Sequence, residues 1–125
     1  MDAIVNLYRQ VRMDYPAVSA SADRFHLKRW GDPLEVGDEY AWFEALADSL
    51  NEEMRRNIPY TKHSAMLDQL ANAYVEGTQA VQQCIDVAFV ENLFWQVPHE
   101  KCTPYWLKLP LAIKQLYIGF HHHEP

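Results

Sequence analysis

Apolar residues recur every three or four positions along most of this chain, and no segment alternates Val, Ile and Thr as a half-buried strand would. That spacing places the apolar side chains on one face of an α-helix. Prolines separate several of the periodic segments, and only four glycines occur among the 125 residues. The pattern predicts an all-α fold, a compact bundle of about five antiparallel helices that forms a single domain over residues 1–125.

Five periodic segments predict the main helices. They run from Asp2 to about Asp14, Asp38 to about Arg56, His63 to Glu76, Thr78 to about Gln96, and Pro110 to about Phe120. Residues 17–38 are less regular, and they predict a short helix capped at Ser19 or Ser21 and then a loop. The segment PYWLKLP predicts a turn or a short helix, and the last helix is expected to bury Phe120.

The most apolar stretch, DVAFVENLFW, carries Glu91 and Asn92 in its middle. A helical wheel places Val81, Ile85, Ala88 and Trp95 in one arc and leaves few polar positions elsewhere, which predicts a central helix and at least partial burial of the polar pair. We interpret Glu91 and Asn92 as structural anchors, with an Arg, a Tyr or a backbone N–H as the expected partner of the carboxylate. A catalytic role for Glu91 is the alternative, and its partner would have to come from another helix.

Other chemically active residues form no recognisable motif. Cys84 and Cys102 are expected to be reduced thiols, and His99 with Cys102 makes at best half of a zinc site. His26 and His63 are isolated and are expected to be solvated or to cap helices. Of the terminal histidines 121–123, only His121 is expected to pack. The sequence therefore predicts no catalytic residue, no metal, no cofactor and no enzymatic activity.

Charge is distributed unevenly. Eight acidic residues and no Lys or Arg fall between positions 32 and 53, whereas the whole chain has a net charge of −6. Glu44, Asp48 and Glu52 recur every four residues and are expected on the solvent face of their helix. This predicts a surface that binds a basic partner and disfavours nucleic acid, although a merely solubilising face is the alternative. The predicted partner-binding residues are Asp32, Glu35, Asp38, Glu39, Tyr40, Glu44, Asp48 and Glu52. Trp42 is expected in the core.

The last third of the chain contains AFVENLFWQVP followed by PYWLKLPLAIKQLYIGFH. Through these motifs it resembles a family of small all-helical bacterial immunity proteins, which are encoded beside polymorphic toxins such as effectors of contact-dependent or type VI secretion. The matching positions are Phe89 to Trp95, Pro104 to Trp106, Leu109, Pro110, Leu116, Tyr117, Phe120 and His121. The resemblance implies a cytoplasmic, non-enzymatic protein that binds and neutralises a cognate toxin.

Combined with the acidic segment, this resemblance predicts an immunity protein whose acidic helical surface binds a toxin domain with a basic surface. Two alternatives stay open: a small enzyme with a dispersed site around Glu91 and the histidines, and an adaptor or chaperone for a secreted effector. No apolar run reaches the roughly 18–20 residues of a membrane span, so no membrane partner is expected. The oligomeric state and the chemistry of the toxin stay open.

Overall fold

A computed structural model describes residues 2–125, which contain seven α-helices and no β-strand. The helices are α1 (Ala3–Asp14), α2 (Pro16–Trp30), α3 (Glu39–Arg55), α4 (Ser64–Glu76), α5 (Gln79–Gln83), α6 (His99–Trp106) and α7 (Leu111–His121). They surround one hydrophobic core. The prediction of an all-α bundle is confirmed, with seven helices instead of about five. None of the helices in residues 2–125 is long and apolar enough to cross a membrane.

Helix α2 is longer than the sequence predicts. It is a full helix and not a short one, because Pro16 occupies its first turn, where the missing N–H costs nothing. Ser19 therefore lies inside α2 and is buried instead of capping it. The helix ends at Gly31, whose φ of 78° is the left-handed conformation that glycine adopts readily. The helical periodicity is weak here because α2 buries mainly small or polar residues.

Helix α3 lies at the centre of the molecule. It begins and ends within a residue of the predicted bounds, and it packs most extensively against α2. Nine of its residues are buried: Trp42, Phe43, Ala45, Leu46, Ala47, Ser49, Leu50, Asn51 and Met54. Burial on nearly every face is typical of a core helix. Helix α3 contributes residues to both clefts described below.

Residues 78–96 do not form the single helix that was expected. Helix α5 widens into a π-helical segment over Cys84–Phe89, tightens into a 3₁₀ turn over Val90–Asn92, and ends. Asn51 of α3 binds the end of this segment: its Nδ2 donates to the Asn92 carbonyl oxygen at 2.9 Å and its Oδ1 accepts from the Phe94 N–H at 2.7 Å. These bonds satisfy backbone groups that a continued helix would have paired internally.

Two aromatic residues consequently lie elsewhere than predicted. Trp95 does not continue the apolar arc of the helix, because the chain has already left the helix at Leu93, and its side chain is 63% exposed. Phe94 and Gln96, on either side of it, both have positive φ. Phe120 is also exposed, whereas Ile113 and Tyr117 provide the buried positions of α7.

Candidate functional site

The acids of α3 are largely covered by α2. Asp48 accepts three hydrogen bonds of 2.9 to 3.1 Å from the guanidinium of Arg29, and Glu44 Oε2 lies 3.9 Å from Arg29 Nη1. The side chains of Glu44 and Asp48 are only 25% and 18% exposed. The expectation that both face solvent is therefore wrong, since α2 packs over this face and its Arg29 offsets their charge.

The acids at the end of α3 are also paired. Glu52 lies 3.1 Å from Nη2 of Arg55, and Glu53 accepts a 3.0 Å hydrogen bond from Lys62. Burial acts to raise the pKa of Glu53, but hydrogen bonds from Lys62 and His63 outweigh it, so the pKa lies below its usual value. Most of the predicted acidic stripe is thus engaged within the protein.

The loop of residues 31–38 keeps its negative charge. Asp38 accepts from the backbone N–H of Glu35 at 3.0 Å, and Glu39 accepts from that of Gly37 at 2.9 Å. Both donors are neutral, so these bonds order the loop without offsetting the two carboxylates. The carboxylates of Asp32 and Glu35 are exposed and form no hydrogen bond or ion pair within residues 2–125. The surplus negative charge of the acidic segment is concentrated here.

A concave site, here named the loop cleft, lies between this loop, α2 and α3. Its volume is about 330 Å³, and it is lined by His26, Trp30, Asp32, Pro33, Glu35, Asp38 and Ala41. Trp30 is largely exposed. His26 is 3% exposed, its Nε2 lies 3.9 Å from Asp38 Oδ2, and its Nδ1 has no partner within the described chain. An indole face beside several carboxylates attracts cations.

The two aromatic residues at the start of α3 differ in role from each other. Tyr40 is half-buried against the core, and burial is the main reason that its pKa is raised. Trp42 is fully buried, as expected, and its Nε1–H donates to Asp23 at 3.0 Å. Asp23 also accepts hydrogen bonds from Arg12 at 2.6 and 3.0 Å, so one carboxylate joins α1, α2 and α3. Nothing in the local sequence indicated that connection.

Glu91 and Asn92 differ in their hydrogen bonding. Asn92 donates from Nδ2 to the carbonyl oxygen of Ala88 at 2.8 Å. The Glu91 carboxylate forms no hydrogen bond or ion pair with any of residues 2–125, so the expected Arg, Tyr or N–H partner is missing. Burial, and secondarily Asp86, raise its pKa. His121 packs as expected, with its ring stacked on that of Tyr117 at a centroid distance of 4.1 Å, and burial is the main cause that lowers its pKa.

The histidines at positions 26 and 63 are buried, which corrects the expectation that they are solvated. His63 is the residue preceding α4, but its side chain does not cap the helix. Its Nε2 lies 3.1 Å from Glu53 Oε1 instead. Burial lowers the pKa of His63 more than Glu53 raises it, so the neutral ring is favoured.

Both cysteines are buried free thiols. Burial is the main cause that raises the pKa of Cys84 to about 12 and that of Cys102 to about 11, so neither is a reactive thiolate. His99 and Cys102 each have another partner: His99 Nδ1 lies 2.8 Å from the carbonyl oxygen of Pro125, and Cys102 Sγ donates to the carbonyl oxygen of Val97 at 3.4 Å. Across residues 2–125, no group of three or more His, Cys, Asp or Glu side chains is arranged to hold a metal ion.

A protein family model matches most of the chain. The family model described as "Domain of unknown function (DUF7674)" aligns with residues 8–123, a range that includes the loop cleft and the whole of α3. No curated protein and no solved structure matches the chain. Because the aligned range covers far more than half of the sequence, the chain belongs to the DUF7674 family.

Proposed function

We propose that this protein is a cytoplasmic immunity protein that neutralises a toxin domain by binding a basic surface of that domain. The observation that carries the proposal is the loop cleft, where Asp32 and Glu35 present exposed carboxylates that no residue of the described chain neutralises. Charges that are left unpaired on a rigid frame are available to a partner of opposite sign. Of the predicted acidic surface, the proposed site includes Asp32, Glu35 and Asp38 and excludes Glu44 and Asp48.

The cleft suits a Lys or Arg side chain of the partner. Trp30 supplies an aromatic face for a cation–π contact, and the carboxylates of Asp32, Glu35 and Asp38 line the same cavity. A guanidinium can stack on the indole while it hydrogen-bonds to a carboxylate. Trp is also a residue type that often dominates the binding energy of protein interfaces.

The resemblance to immunity proteins supports the same function from another part of the chain. Its residues are mainly structural: Phe89, Phe94, Trp106 and Tyr117 are buried. Phe94, Trp106 and Tyr117 also contact one another edge to face, with ring centroids 5.4 to 5.9 Å apart. This segment therefore builds the bundle that presents the loop cleft, and it supports the proposed function through the fold.

The test is protection of cells that express the toxin encoded next to this protein's gene. We expect the wild-type chain to restore growth and to co-purify with the toxin. The double variant Asp32→Asn, Glu35→Gln should lose both properties, because it removes the unpaired charges. The control Asp68→Asn, Glu76→Gln removes the same charge from exposed positions of α4 and should protect fully.

Other outcomes separate the alternatives. Co-purification without protection would identify an adaptor or chaperone of the effector. Equal protection by both double variants would remove the loop cleft from the interface. A folded wild-type chain that neither binds nor protects would exclude immunity against this toxin and return the enzyme alternative to consideration.

A further inference from the structure

A second concave site lies at the opposite end of the α2–α3 pair. Its volume is about 160 Å³, and we name it the basic cleft. It is lined by Ala17, Val18, Ser21, Arg24, Ser49, Glu52, Glu53, Arg56, Lys62 and His63. Ligand pockets for drug-sized molecules usually measure about 300–1,000 Å³, so this cleft admits only a small group. It shares no lining residue with the loop cleft.

The charges of the basic cleft do not cancel. Three cationic and two acidic side chains line it, in a chain whose net charge is −6. Both acids are engaged, Glu52 with Arg55 and Glu53 with Lys62 and His63. Arg24 and Arg56 are exposed and form no ion pair with any of residues 2–125. Two guanidiniums are thus available to an anion, and guanidinium forks bind phosphate and carboxylate oxygens with two parallel hydrogen bonds.

A buried hydroxyl group provides independent evidence for a ligand. Ser49 is 1% exposed, and its Oγ has no hydrogen-bond partner in the described chain. A serine inside a helix commonly donates to the carbonyl one turn earlier, and Ser49 does not. Leaving a buried hydroxyl unsatisfied costs about 1–3 kcal/mol, so native proteins rarely keep one without a purpose. An oxygen atom of a ligand in the cleft would accept this bond.

The backbone adds a favourable field on one side of the cleft. The first turn of α2 lines it through Ala17 and Val18, and no side chain caps that helix. Uncapped N–H groups at a helix N-terminus attract anions. The C-terminal carbonyls of α3 act in the opposite sense, but Lys101 Nζ donates to the carbonyl oxygen of Arg55 at 2.6 Å.

We propose that the basic cleft binds a phosphate group through Arg24, Arg56 and the hydroxyl of Ser49. The group is either inorganic phosphate or the phosphoryl group of a modified side chain, since both present the same oxygens. The cleft has room for the phosphate group alone, so the rest of any larger ligand would lie outside it. The proposal does not depend on immunity function, because the loop cleft contributes nothing to it.

The test is calorimetric titration of the full-length protein with inorganic phosphate and, separately, with O-phosphoserine at equal ionic strength. We expect one site per chain. Ser49→Ala should weaken phosphate binding about tenfold, the loss expected for one hydrogen bond to a charged group. The same variant should keep or raise the thermal stability of the ligand-free protein, because alanine favours the helix and removes the unsatisfied hydroxyl. Arg56→Gln should weaken binding at least as much, and Lys108→Gln, an exposed control, should not.

Tighter binding of O-phosphoserine would identify a phosphorylated partner as the source of the group, and tighter binding of inorganic phosphate would identify the free ion. Absence of heat with both ligands at millimolar concentration would overturn the proposal. So would binding that Ser49→Ala and Arg56→Gln leave unchanged, because the anion would then occupy another surface.

Discussion

The two ends of the α2–α3 pair differ in the sign of the charge that they leave unpaired. At the loop end, Asp32 and Glu35 have no cationic partner. At the other end, Arg24 and Arg56 have no acidic partner. Between the two ends, Arg29 pairs with Asp48 and lies near Glu44. The same two helices therefore present an anionic cleft and a cationic cleft, separated by a neutralised middle.

This difference shows that the number of charges in a segment does not locate a binding surface. The acidic segment of residues 32–53 suggested one continuous stripe. In the folded protein, Arg29 of α2 neutralises the centre of this segment, and Lys62, which lies between α3 and α4, neutralises its end. A partner is attracted by the charges that remain, because a pair already formed must be broken before either member can bind elsewhere.

The largest expected effect on stability concerns Asn51 of α3, the helix that contributes to both clefts. Asn51→Leu should lower the free energy of unfolding by about 2–4 kcal/mol, because it leaves the Asn92 carbonyl and the Phe94 N–H buried without partners. Denaturant titration followed by circular dichroism measures the loss. Asn72→Leu, at an exposed position of α4, is the control and should change stability little. A comparable loss in both variants would contradict the assigned role of Asn51.

The substitution Arg29→Gln removes the cation that pairs with Asp48 and lies near Glu44. We expect a loss of about 1–2 kcal/mol, between the values of an exposed ion pair and a buried one, since Asp48 is mostly covered. The variant should also extend the anionic surface along α3 and strengthen binding of the basic partner. Lys28→Gln removes a neighbouring exposed charge from the same helix and is the control for both measurements. Equal stability of the two variants would show that the Arg29 pairs contribute nothing.

Lowering the pH should reduce the stability of the protein through His63 and Glu53, which line the basic cleft. The folded-state pKa of each lies below its unfolded value, so the unfolded chain takes up protons first as the pH falls. The stabilisation from His63 is complete above its unfolded pKa near 6.5 and declines as the pH falls toward the folded pKa, by at most about 1.4 kcal/mol per pH unit. His63→Gln should flatten the stability profile just below pH 6.5, measured by urea denaturation. Parallel profiles for the wild type and His63→Gln would refute this linkage.

The smallest effect on stability is expected at the loop end. Asp32→Asn with Glu35→Gln should change the free energy of unfolding by less than about 0.5 kcal/mol, because neither side chain is bonded within the protein. Asp38→Asn should cost more than this pair, since Asp38 Oδ2 accepts the Glu35 N–H at 3.0 Å. Thermal melts of the three proteins compare them directly. A marked loss in the double variant would show that these carboxylates stabilise the loop and are not free for a partner.

Local features of the sequence predicted much of the fold. Asp2, where the first helix was predicted to begin, caps α1 by accepting from the N–H groups of Ile4 and Val5 at 2.7 and 3.3 Å. The bounds of α3 and of α4 followed from apolar periodicity to within one residue. Of the predicted partner-binding residues, the loop members Asp32, Glu35 and Asp38 come together at one cleft. Glu44, Asp48 and Glu52 follow the predicted spacing but have partners of their own.

What the sequence determined by itself was the helical class, most helix ends and the main apolar faces, because these depend on neighbours three or four residues apart and on proline and glycine chemistry. Only the tertiary structure decided where the fourth predicted helix ends and which charges stay free. Asn51 acts on residues more than forty positions away, and Arg29 reaches Asp48 across a helix pair. Such contacts depend on the distances between residues that are far apart in the sequence. Local periodicity carries no information about those distances.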